Sequence, residues 1–150
     1  MTKLAVPILL LAVVGTTAAA ARGDASVPDG VRFETLEIYV DAGSHPLAAW
    51  QFEFRVAAGD AEVVGVEGGE PPAFAEAPYY DPSALRGGYL IVAAFQANDE
   101  VPTGRTRVAT LHLMVRGDRE PRYDVSLVVA SDPDGNSYDA VLSVEKGDDR

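Results

Sequence analysis

Cysteine is absent from the 150 residues. Disulfide staples, thiolate metal centres and cysteine nucleophiles are therefore excluded, and stability must come from packing. Histidine is scarce. His45 sits in a turn beside Ser44 and near Asp41, and His112 falls on the outward parity of a strand. Two isolated histidines do not build a His-based zinc site. Neighbouring loop residues seldom hold the geometry of a nucleophilic triad, and there is no Gly-x-Ser-x-Gly elbow. Basic residues are few, 12 Lys and Arg against 23 Asp and Glu, for a net charge of −11. No basic stripe is present to neutralise phosphates or anionic lipid headgroups, which argues against nucleic acid and acidic membranes as partners. The acids are too many for any pair to be singled out as glycosidase carboxylates. These absences point away from an enzyme.

Long hydrophobic runs are also lacking. The longest, Leu4–Val14, is about half of the roughly 20 apolar residues that cross a bilayer. It follows Lys3 and leads through Gly15 and two threonines to Ala18-Ala19-Ala20-Ala21. A basic start, a short apolar stretch and small residues at its end are the pattern of a secretory signal. Residues 1–21 are read as that signal, which predicts a secreted, periplasmic or cell-surface protein without stable membrane insertion. Residues 22–30 (RGDASVPDG) read as a polar, flexible leader, 31–146 as one domain and 147–150 as a tail.

What the chain does have is alternation of period two, the mark of half-buried strands. Ala48, Trp50, Phe52, Phe54 and Val56 alternate with Ala49, Gln51, Glu53 and Arg55. Trp50 shares its parity with two phenylalanines and is assigned to the core. Leu36, Ile38 and Val40 form a similar stripe; Val31 and Phe33 fall on the opposite parity, which predicts a bulge or a sheet switch near Glu34. A short third strand centres on Val64 and Val66. Tyr89–Gln96 is nearly all apolar and predicts a strand buried on both faces. Ala109, Leu111, Leu113 and Val115 mark another strand, Tyr123, Val125, Leu127 and Val129 the next, and Tyr138, Ala140, Leu142 and Val144 the last. Seven or eight short strands predict an all-β, two-sheet antiparallel sandwich of jelly-roll or Greek-key type, its last strands in hairpin order.

Two places offer ligand contacts. Gly68–Gly88 is a long Gly- and Pro-rich loop carrying Tyr79 and Tyr80, which either recognise a ligand or pin the loop to the sandwich; a short strand near Phe74 is also compatible with it. Asp132, Asp134 and Asn136 alternate in a turn as in the first half of a calcium loop, but Gly135 and Ser143 miss the EF-hand positions. A structural Ca²⁺ and an Asx-stabilised hairpin turn are both compatible with these residues, the turn being favoured. No other cofactor is indicated.

The order of features resembles the cohesin family and, more loosely, carbohydrate-binding sandwiches. The resemblance lies in FETLEIYVDAG before the aromatic strand PLAAWQFEFRV, AEVVGVEGG before a variable loop, GRTRVATLHLMV, and the terminal VSLVVASDPDGNSYDAVLSVE. It implies a non-catalytic receptor that binds a dockerin-like protein through one sheet face, in extracellular or cell-surface assembly. The looser likeness implies a module for polysaccharide.

Overall fold

In a computed structural model, residues 30–97 and 100–148 are described. The signal-like segment, the polar leader before Gly30 and the last two residues lie outside them. The described residues form seven strands: β1 Val31–Asp41, β2 Ala49–Ala58, β3 Asp60–Gly68, β4 Tyr89–Phe95, β5 Arg105–Arg116, β6 Arg122–Ser131 and β7 Val141–Lys146. They make a four-stranded sheet in the order β3-β5-β1-β7 and a three-stranded sheet in the order β4-β2-β6. All described pairings are antiparallel. This is the two-sheet sandwich that the alternation predicts.

The chain changes sheet at every connection, the weaving habit of a jelly roll. Hairpin order for the last strands is therefore overturned: β5 lies between β3 and β1, β6 pairs with β2, and β7 pairs with β1. The reason is amphipathicity. Each strand has one apolar face, and consecutive strands bury those faces against each other across the core instead of side by side.

That core is supplied by both sheets. Leu36, Ile38 and Val40 from β1 and Leu111, Leu113 and Val115 from β5 meet Trp50, Phe52 and Phe54 from β2 and Leu90 and Val92 from β4. Trp50 is only 1% exposed. Its indole lies parallel to the Phe52 ring at 5.6 Å and meets the Phe74 ring edge-on at 5.9 Å. Phe74 ends a short 3₁₀ turn, Pro72–Phe74, rather than a strand.

Local departures from simple alternation each have a cause. There is no bulge or sheet switch at Glu34: alternation runs unbroken through it, Phe33 faces solvent, and the β1–β5 register shifts at Ile38/Tyr39. In β3 the register shift between Val63 and Gly65 turns Val64 outward and leaves Val63 in the core. In β6 the shift opposite Gln51/Phe52 makes Val128 the extra residue, and Val129 consequently faces out. β4 is an edge strand with one open face, so Ile91 and Phe95 are exposed rather than buried. Among the described residues no helix is long and apolar enough to cross a membrane.

A ring of four charges closes one end of the sandwich. Arg32 donates to Glu34 (2.8 Å) and Glu120 (2.9 Å), and Lys146 donates to Glu120 and lies 3.3 Å from Glu34. Tyr123 packs beside this ring, tilted against Phe54, and its hydroxyl is buried without a hydrogen-bond partner among the described residues. Burial, with Glu34 and Glu120 adding to it, pushes the Tyr123 phenol up from 10.0 to about 12. The folded state thus holds this proton more tightly than the unfolded chain. Its stabilising contribution is complete below pH 10.0 and is lost as pH rises to about 12. Urea unfolding should show the midpoint dropping across that window, with Tyr123→Phe removing the largest single part of the drop. An identical pH profile in the variant would contradict this.

Candidate functional site

Antiparallel pairing places cross-strand partners on the same face of a sheet. Tyr79 forms a bridge with Ala93: its N–H donates to Ala93 O (2.8 Å), and the Ala93 N–H donates back to Tyr79 O (3.0 Å). Tyr79 thereby adds one residue to the edge of the three-stranded sheet. The row across the outer face is then Tyr79, Ala93, Gln51 and Val129. Phe95 and Ile91 lie two residues either side of Ala93 and share that face. The Tyr79 and Phe95 rings run parallel, 11° apart, with centroids separated by 5.9 Å. Both are open to solvent, at 68% and 64% exposure. Tyr80 has the opposite parity and packs, half-buried, against the core. One tyrosine of the pair thus pins the loop while the other is displayed.

The display is rigidly mounted. Before Tyr79, Phe74 is anchored on Trp50, Gly69 N–H donates to Phe74 O (2.6 Å), and Gln96 Nε2 donates to Ala73 O (2.6 Å). After it, Asp81 caps a second 3₁₀ segment, Pro82–Gly87, accepting from Ser83 N (2.8 Å) and Ser83 Oγ (2.7 Å). The Ser83 hydroxyl, then its N–H, holds the Asp81 carboxyl below the usual carboxylate range. Further along the face, the Arg55 guanidinium lies 4.7 Å over the Tyr89 ring. Reduced solvation, with Glu53 nearby, raises the Tyr89 phenol above its ordinary value.

The other predicted residues do not join this face. Asp132 accepts from Asn136 N (2.8 Å) and from Asn136 Nδ2 (3.1 Å), using both carboxylate oxygens inside the turn. Those bonds, the backbone one foremost, lower its pKa. Asp134 stays exposed outside this pair. The arrangement is an Asx-stabilised turn, and among the described residues no three His, Cys, Asp or Glu side chains gather as metal ligands. His45 is exposed and stacks on Tyr138 at 4.6 Å. His112 Nε2 lies 3.2 Å from Glu67 on the neighbouring strand of the four-stranded sheet.

Phe95, Ile91 and Val129 went unmarked in the sequence. An apolar residue in an apolar run reads as core, and only the edge position of β4 and the bulge at Val128 turn them outward.

No protein-family model, curated protein or solved structure matches this chain. Fold and face together define an all-β sandwich that displays an exposed aromatic and aliphatic strip on its smaller sheet.

Proposed function

We propose that this chain is an exported, non-enzymatic binding module that docks a protein partner on the outer face of its three-stranded sheet, in extracellular or cell-surface assembly. The observation that carries this reading is the parallel, exposed Tyr79–Phe95 pair, continued by Ile91 and Val129 on a mounted frame. Contiguous exposed apolar surface on a soluble domain marks a contact site. Rings held in place before binding lose little freedom on association, which is what anchoring residues of an interface require. The aliphatic neighbours Ile91 and Val129 favour a protein partner, whose apolar side chains can cover them. Docking through one sheet face also agrees with what the cohesin resemblance implies. Catalysis has no part in this reading, which needs only the exposed aromatic and aliphatic face.

The test compares wild type with Tyr79→Ala/Phe95→Ala in a pull-down from the secreted or envelope fraction of the host, followed by titration of the captured protein. Wild type should bind saturably. The double variant should bind about 100-fold more weakly, the order expected for two aromatic anchors, with an unchanged unfolding midpoint because both rings are exposed. Equal capture by the variant would overturn the reading. So would polysaccharide binding that the double substitution abolishes while no protein is captured.

A further inference from the structure

β6 is the edge of the three-stranded sheet away from Tyr79, and the ladder beside it fixes which of its peptide groups are open. Val56 N–H donates to Gly88 O on the β4 side, so the alternate residues Gln51, Glu53 and Arg55 turn their peptide groups toward β6. Val129, Ser126 and Asp124 meet them there. Tyr123, Val125 and Leu127 consequently turn theirs outward, where they have no backbone partner among the described residues. Pro121, which has no N–H, bounds this open stretch at one end. Tyr138, whose N–H donates to Ala130 O (3.0 Å), bounds it at the other.

Monomeric sheet proteins blunt such an edge with lysine, proline or an inward-pointing charge. Between Tyr123 and Leu127 there is none, since Asp124 lies on the outer face opposite Arg55. Val125 and Leu127 are half-buried, and Val128 beside them is 48% exposed. The charges at the two limits of the stretch are of opposite sign. Arg122 opens it, and Asp139 follows Tyr138 at its far end. Both are exposed and outside every ion pair among the described residues.

We propose that this edge pairs with β6 of a second copy of the chain, antiparallel and about a two-fold axis at Val125. Tyr123 then faces the second copy's Leu127, and each outward residue exchanges both peptide hydrogen bonds with its partner. On the outer face Asp124 lies opposite Ser126 and Arg122 opposite Val128, while each Arg122 approaches the Asp139 end of the other copy. The neighbouring registers fail. One sets Asp124 against Asp124, a like-charge pair. The other requires Val129, whose peptide groups the bulge at Val128 has turned toward β2. The two small sheets thus become one. Because the axis is perpendicular to them, both Tyr79–Phe95 strips face the same way, although the pairing itself does not depend on those rings.

Sedimentation equilibrium of the purified protein tests the pairing, at moderate salt because a net charge of −11 makes two copies repel. A monomer–dimer equilibrium is expected, and Val125→Pro should abolish it by removing an outward N–H that an edge strand can spare. Two exposed substitutions test the register without touching the core. Ser126→Lys, opposite Asp124, should tighten the dimer about tenfold, since the change acts twice. Val128→Lys, opposite Arg122, should weaken it about as much. Equal tightening by both would show mere relief of net charge and overturn the proposal. So would a monomer at every concentration, or a dimer that survives Val125→Pro. Tyr79→Ala/Phe95→Ala should leave the dimer intact; its loss there would place the contact on the aromatic face instead and overturn the edge pairing.

Discussion

Trp50→Ala is expected to remove about 3–5 kcal/mol of stability, the usual cost of emptying a large aromatic site in a core. Small domains have about 5–15 kcal/mol in all, so the variant should be close to unfolding at room temperature. The size of the effect reflects the contacts the indole joins. It lies on Phe52 within β2 and holds Phe74 edge-on, so it fastens the long loop to the core as well as filling it. Trp50→Phe separates volume from polarity. The indole Nε1 is buried without a hydrogen-bond partner among the described residues, and removing such a donor recovers about 1–3 kcal/mol of desolvation cost against the volume lost. Trp50→Phe should therefore cost far less than Trp50→Ala. Because Trp50 is the single tryptophan, urea unfolding is best followed by far-ultraviolet circular dichroism. Equal losses in the two variants would mean that packing around the indole is not what holds this region.

Gly59→Ala is the second large effect, for two separable reasons. Gly59 is the one residue between β2 and β3, where the chain passes from one sheet to the other, and its φ is +88°. A side chain in left-handed backbone costs about 1–2 kcal/mol. Its Cβ would also lie 2.8 Å from Pro121 Cα, a backbone atom of the β5–β6 corner that cannot swing away. Overpacking of this kind costs about 1–3 kcal/mol more. Gly43→Ala isolates the first term, since Gly43 also has positive φ (+59°) but nothing within 4 Å of its added Cβ. Chemical denaturation should place Gly59→Ala clearly below Gly43→Ala; equal midpoints would mean that the two corners do not pack against each other.

Strands with one buried face were legible in the sequence because parity and burial coincide there. Trp50, Phe52 and Phe54, and Leu111, Leu113 and Val115, all point inward as their spacing predicts. Pairing was not legible, because the partners of each strand lie far along the chain and alternation says nothing of which neighbour it takes. The apolar run of β4 was deceptive for a related reason. An edge strand of a small sheet can carry Ile91 and Phe95 on an uncovered face, and composition alone does not distinguish this from double burial. Bulges escaped as well: one extra residue at Val64 or Val128 reverses the parity of the residues beyond it. Of the site, Tyr79 and Tyr80 were visible as aromatics in a long loop. Their division of labour needed the Tyr79–Ala93 bridge, which sends one ring outward and its neighbour in.

Hydroxyl-radical footprinting of the complex with the captured protein tests the docking face most directly, because it reads the solvent access of individual side chains. The account predicts that oxidation of Tyr79 and Phe95 falls several-fold on complex formation. Labelling of both rings at the rate of the free chain, in a saturated complex, would contradict it.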